Sequence, residues 1–201
     1  MSVLVGRPAP DFTAAAVLAD GAIVDAFNLK AHLKGKYGLV FFYPLDFTFV
    51  CPSELIAFDH RIEEFSKRNV EVIGISIDSQ FTHNAWRNMP VDKGGIGPIK
   101  YTLVADISHA ICQAYGIEHP DAGVAFRGTF LIDKEGVVRS EIVNDLPLGR
   151  EISEFIRLVD ALQFHEKHGE VCPAGWRQGD KGMTASPEGV ANYLHDHAAQ
   201  L

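Results

Sequence analysis

Along this chain, blocks of continuous hydrophobicity alternate with blocks whose apolar positions recur every three to four residues. Tyr37 to Tyr43 is a near-continuous apolar run, broken only by Gly38 and stopped by Pro44. Such a run predicts a strand buried on both faces. From Leu55 the pattern turns helical: Leu55, Phe58, Ile62 and Phe65 share one face, while Asp59, Arg61, Glu63, Glu64 and Lys67 fall mostly on the others. This helix is expected to run to about Arg68. Val70 to Ile77 reads as another core strand, Phe81 to Met89 as a short helix, Tyr101 to Ala105 as a strand and Ser108 to Tyr115 as a helix. Strand and helix in repeated succession predict an α/β layer arrangement.

The flanks extend this pattern. Phe12 to Leu18 and Ile23 to Phe27, around Asp20-Gly21, form a candidate antiparallel hairpin. Val124 to Ile132 and Val137 to Val143 form two more strands around the turn Asp133-Lys134-Glu135-Gly136. Arg150 opens a long helix to His168, with Ile152, Phe155, Ile156, Val159 and Leu162 on its apolar face. The glycine-rich Lys93–Pro98 stretch lacks the helix-opening context of a phosphate loop and reads as a structural loop. Residues 169–201 have little to form a core of their own, so they must be mobile or packed on something else. The expected division is a domain over 1–168 and a C-terminal arm over 169–201.

One position in this frame carries chemistry. Pro52 suits the first residue of the helix that follows the buried strand, which makes Cys51 its N-cap. A sulfur there faces unpaired backbone N–H groups and the positive end of the helix dipole, both of which favour the thiolate. Thr48, in the loop, could hydrogen-bond the sulfur or a bound oxygen atom. Against this stands the plain reading of Cys51 as a small buried hydrophobe. Arg127 lies inside an otherwise apolar strand, where a charge is costly unless paired. Either that strand is an edge with Arg127 in water, or Arg127 points at a buried anion, for which the Cys51 thiolate is the candidate.

Composition narrows the field. The 201 residues are 47% hydrophobic and 22% charged, ordinary for one globular domain, and the net charge of −8 argues against nucleic acid and anionic membrane surfaces. The N-terminal residues show no basic segment followed by a long apolar run, and no stretch of about 20 apolar residues occurs, so a cytoplasmic location is expected. Three cysteines, Cys51, Cys112 and Cys172, are too few and odd in number for a disulfide framework. Cys112, among Ile111, Ala114 and Tyr115, reads as packing, whereas Cys172, in the loose arm, should be accessible. A thioredoxin-type dithiol is excluded at Cys51, because the position of its second cysteine is Glu54. His165, His168 and Cys172 have suggestive spacing but no evident fourth ligand, so no metal is expected.

A candidate low-pKa thiolate and a second accessible thiol are what sulfenic-acid chemistry requires. The segments Pro44-Leu45-Asp46-Phe47-Thr48-Phe49-Val50-Cys51-Pro52 and Glu170-Val171-Cys172-Pro173-Ala174 closely resemble the two signature segments of typical two-cysteine peroxiredoxins, the group that includes the bacterial alkyl hydroperoxide reductase peroxidase subunit. The resemblance extends over nearly the whole chain. It implies a thioredoxin-like α/β fold with an added N-terminal β-hairpin and an extended C-terminal arm. It also implies a thiol peroxidase without cofactor, acting on hydrogen peroxide and organic hydroperoxides.

Residue by residue, the resemblance makes Cys51 the peroxidatic nucleophile and Cys172 the resolving cysteine of the other subunit. Thr48 and Arg127 would hold the peroxide oxygens, and Pro44 would shield the pocket from water. Glu54 in the first helical turn would raise the thiol's pKa if unpaired, so Arg150 or Arg127 is expected to neutralise it. Dimers, assembled into a decamer, with thioredoxin or a flavoprotein disulfide reductase as electron donor, are further implications. Family members that are easily overoxidised carry a Gly-Gly-Leu-Gly loop and a C-terminal Tyr-Phe pair. Here the corresponding segments are Gly94-Gly95-Ile96-Gly97 and Tyr193-Leu194, and the smaller Leu194 should pin the site less firmly. A holdase chaperone or peroxide sensor is the alternative reading; a chaperone role should survive Cys51→Ser, and peroxidase activity should not.

Overall fold

The computed structural model describes residues 3–200. The chain forms two compact units, Met1–Ile152 and Ser153–Leu201. The strands of the first, in chain order, are β1 (Thr13–Val17), β2 (Ile23–Asn28), β3 (Tyr37–Phe42), β4 (Val70–Ser76), β5 (Thr102–Ala105), β6 (Arg127–Ile132) and β7 (Val138–Asn144). Its helices are α1 (Leu29–His32), α2 (Cys51–His60), α3 (Ile62–Ser66), α4 (Gln80–Arg87) and α5 (Ala110–Ala114).

The strands make one mixed sheet in the order β2-β1-β5-β4-β3-β6-β7. β3, β4 and β5 run parallel, joined by helical crossovers, and antiparallel pairs flank them: β1 on β5, and β6 on β3. The expected hairpins are β1–β2, at one edge, and β6–β7, at the other. All six residues of β3 are buried, as its unbroken apolar run predicts. On one face Phe41 stacks on Phe58 of α2, with centroids 4.3 Å apart; on the other, Phe42 meets Tyr115 at 5.0 Å and Phe130 at 5.8 Å. β3 thus delivers the chain to residue 44 from the middle of a packed core.

Three boundaries differ from expectation. The long helix after Cys51 is broken at Arg61 (φ −107°, ψ 5°) into α2 and α3. The break lets both halves bury their apolar residues: Phe58 and Phe65 keep ring contact at 6.2 Å while α3 packs on β4. The strand predicted from Val124 starts at Arg127. Its predecessors turn back on themselves, with Phe126 N–H donating to Ile117 O at 2.8 Å. Arg150 precedes its helix rather than opening it, since α6 spans Ile152–His168.

The second unit holds the rest of α6, a looped segment and α7 (Pro187–His197), capped by Ser186, whose hydroxyl accepts from Gly189 N. The loop is not a free tail. Val171 and Met183 exchange backbone hydrogen bonds at 2.9 Å, and Trp176 is buried with its ring 4.9 Å from Phe164 of α6. Among the described residues no helix is long and apolar enough to cross a membrane.

Candidate active site

The site is assembled where β3 ends and α2 begins. After Tyr43 the chain leaves the sheet through the loop 44–50, in which Pro44 and Asp46 are buried and Thr48 is half-buried. Val50 already adopts helical angles (φ −83°, ψ −37°), and its carbonyl accepts from Ser53 N at 3.1 Å and Glu54 N at 3.4 Å. Val50 is therefore the N-cap, Cys51 the first helical residue and Pro52 the second, one position on from the sequence expectation. Val50 offers no side-chain cap, so Cys51 remains among the weakly used donors of the first turn.

Cys51 is 0% exposed, and Arg127 Nη1 lies 3.4 Å from its sulfur. β6 is an interior strand between β3 and β7, so of the two readings of Arg127 the buried-anion one holds. The guanidinium is fixed on two further sides: Nε donates to Leu146 O at 2.7 Å, and Nη1 to Glu54 Oε2 at 2.6 Å. Arg150 completes the cluster from the loop after β7. Its Nε and Nη2 donate to the two oxygens of Glu54, each at 2.9 Å, a bidentate fork. Its Nη1 reaches Phe42 O at 2.8 Å and Gly128 O at 3.0 Å, tying together the neighbouring strands β3 and β6. Glu54 also accepts from Arg150 N, at 3.0 Å; this capture of backbone and side chain holds Arg150 out of α6.

Glu54 is thus paired with both arginines. Glu54 carries one negative charge and the two arginines carry two positive ones; burial lowers the Arg150 pKa, and Glu54 opposes that shift. The cluster therefore places an excess of guanidinium charge beside the Cys51 sulfur.

Thr48 donates to Leu45 O at 2.8 Å, which leaves the lone pairs of its hydroxyl available as acceptors. Cys112 is buried, with its thiol pushed up to about 12, first by burial and then by Asp106, a setting that disfavours the thiolate. Cys172 is half-buried, its Sγ 3.4 Å from Ala161 O, and burial raises its pKa. It lies in the second unit, less open than the sequence expectation. Among the described residues the group with metal-ligand character is His109, Cys112 and Glu118 rather than His165, His168 and Cys172.

Sequence reasoning passed over two contributors. One is the Leu146 carbonyl, which no sequence pattern signals. The other is His83, fully buried on α4 and bonded to Asp46 at 2.7 Å. Its placement three residues before the buried Trp86, on the core side of a short helix, was a readable signal.

Residues 5–141 match the AhpC/TSA family, and residues 161–195 match the C-terminal domain of 1-Cys peroxiredoxin. The chain is 53% identical to alkyl hydroperoxide reductase C of Buchnera aphidicola subsp. Baizongia pistaciae, over 96% of each chain. It is 51% identical to alkyl hydroperoxide reductase C of Helicobacter pylori, over 99% of this chain and 100% of that one. Among solved structures, the reduced 2-Cys peroxiredoxin of Plasmodium vivax superposes with a TM-score of 0.92 at 48% identity, covering 96% of this chain and all of that one.

Proposed function

The chain belongs to the AhpC/TSA family and is a thiol peroxidase; on that footing we propose that Cys51 is the peroxidatic residue and Cys172 of a second subunit the resolving one. In the first step the Cys51 thiolate attacks the terminal oxygen of a hydroperoxide. The S–O bond forms as the O–O bond breaks, the departing alkoxide or hydroxide takes a proton, and the sulfur is left as sulfenic acid. In the second step a Cys172 thiol displaces water from that acid and forms a disulfide. A thiol reductant then returns two electrons.

Arg127 is placed to stabilise the charge that develops on the oxygens, as donors in oxyanion sites do. Thr48, its proton given to Leu45 O, accepts from the hydroperoxide O–H, and Pro44 keeps water from the sulfur. Glu54 and Arg150 are supporting residues that hold Arg127 in place. The single observation that carries the reading is the Arg127 guanidinium 3.4 Å from a buried sulfur, in a cluster of two arginines around the one carboxylate of Glu54.

The domain limits 1–168 and 169–201, the assembly of dimers into a decamer, thioredoxin or a flavoprotein reductase as donor, and a cytoplasmic setting belong to the same proposal. The test is stopped-flow consumption of hydrogen peroxide and an alkyl hydroperoxide by wild type and Cys51→Ser. Loss of the fast phase in the variant supports the assignment; an unchanged fast phase contradicts it.

A further inference from the structure

One buried titratable pair takes no part in the reaction as described. His83 on α4 and Asp46 in the loop before Cys51 have side chains with 0% exposure, and His83 Nδ1 lies 2.7 Å from Asp46 Oδ2. The protons on this pair can be counted. His83 Nε2 is 3.1 Å from Val104 O, and a carbonyl oxygen only accepts, so Nε2 carries a proton. Asp46 Oδ1 accepts from the Tyr43 hydroxyl at 2.8 Å. That leaves Nδ1 against Oδ2 at a distance two bare lone pairs do not adopt, and one proton must lie between them. The pair is then neutral in sum whether nitrogen or oxygen holds the proton, which lets both groups be buried.

Its place in the chain gives this pair a role. Asp46 also binds through its backbone: its N–H donates to Asp78 Oδ2 at 2.8 Å, and the same oxygen takes the Ser76 hydroxyl at 2.7 Å. The next residue, Phe47, has φ 56°, a left-handed conformation that a bulky residue keeps only where its surroundings hold it. Its ring lies 5.6 Å from that of Trp86 on α4. Asp46 therefore fastens the loop carrying Pro44 and Thr48 to the ends of β3 and β4 and to α4. The titratable groups facing the pair are Tyr43, after β3, and Asp78, after β4; burial and Asp78 both push Asp46 toward holding a proton, while His83 and Tyr43 oppose this.

We infer that His83 and Asp46 are positioning residues for the peroxide reaction, the hydrogen bond between them setting where Thr48 stands relative to the Cys51 sulfur. The inference rests on the roles given above to Cys51 and Thr48. A misplacement of about 1 Å at a reacting group can cost on the order of 100-fold, so the effect is measurable.

The experiment joins two readouts on the intact protein. Proton NMR of histidine-15N-labelled wild type should show a strongly downfield imidazole proton, absent in Asp46→Asn, where an amide supplies an ordinary donor to a neutral His83. In parallel, the rate of Cys51 oxidation by hydrogen peroxide should fall roughly 10- to 100-fold in His83→Gln and Asp46→Ala. His83→Gln can keep the donor to Val104 O and loses the Nδ1 contacts, with Asp46 at 2.7 Å and the Tyr43 hydroxyl at 3.4 Å. Alkylation of Cys51 by iodoacetamide, which needs no Thr48, should stay near the wild-type rate in both. Asp46→Asn, which reproduces both hydrogen bonds, should recover most of the lost peroxide rate. Absence of the downfield proton in wild type, its persistence in Asp46→Asn, or a folded His83→Gln protein with the wild-type peroxide rate overturns the inference. If the downfield proton is present but wild type itself fails to react with peroxide at Cys51, the assignment of Cys51 falls while the shared proton stands.

Discussion

At the scale of single residues, the chemistry depends on where charge is allowed to remain. Arg127 serves three acceptors at once, the Leu146 carbonyl, Glu54 and the Cys51 sulfur. An ammonium has no planar fork with which to do this. Arg127→Lys should therefore lower the second-order rate with hydrogen peroxide by about 10²- to 10³-fold, comparable to removal of one oxyanion donor; stopped-flow tryptophan fluorescence measures it. Glu54→Gln leaves two buried guanidinium groups without their anion, and should cost roughly 3–5 kcal/mol in denaturant unfolding. Cys112 supplies the contrast. With its thiol held at about 12 by burial and Asp106, it should resist iodoacetamide at neutral pH until the protein unfolds. Cys112→Ala should leave peroxide turnover intact at a cost of about 1–2 kcal/mol in stability. The place of Cys51 at a helix start was legible. The exact cap was not, because a non-proline residue ahead of the helix can take helical angles without any sign in its side chain, as Val50 does.

At the scale of elements, β4 links the core to the loops that carry the site. Its Gly74 has no room for a side chain: an added Cβ would sit 2.8 Å from Leu103 Cδ2 and 2.9 Å from Phe41 Cζ. Gly74→Ala should cost about 1–3 kcal/mol through overpacking, read as a shift in the denaturation midpoint. At the same strand's start, Glu71 binds Lys36 at 2.6 Å and His32 at 3.3 Å. The hydrogen bond from His32, then that from Lys36, hold its carboxyl down at about 2, from 4.5. A depressed carboxyl stabilises the fold above its unfolded pKa and loses that contribution as pH falls through the folded one. Glu71→Gln should therefore be less stable than wild type at pH 7, the gap closing between about pH 4.5 and 2; thermal melts across that range check it. Period and length in the sequence marked these elements well: the buried β3, the two hairpins and α4 all lie where the apolar pattern places them. The misplaced boundaries, at Arg61, Arg127 and Arg150, are positions where tertiary contacts outweigh local pattern. At the last two, the arginine's partners come from strands and loops distant in sequence.

At the scale of the whole molecule, the proposed peroxidatic cysteine lies in one unit and the proposed resolving cysteine in the other. The arm's lack of its own apolar core was legible, but the way it folds was not, since Trp176 on Phe164 and the bridge between Val171 and Met183 are pairings no local pattern announces. α7 carries Tyr193 and a substantially exposed Leu194. Leu194→Phe should make inactivation by excess peroxide easier, measured as residual activity after titration; no change would remove the argument from helix packing.

The central claim is that Cys51 and Cys172 of two subunits close a disulfide through a sulfenic acid. The measurement that tests it most directly is non-reducing electrophoresis after one equivalent of hydrogen peroxide, on wild type, Cys51→Ser, Cys172→Ser and Cys112→Ser. Wild type and Cys112→Ser should give a covalent dimer, with only residual dimer in the other two. A wild type that stays monomeric with its thiols oxidised would contradict the intersubunit mechanism.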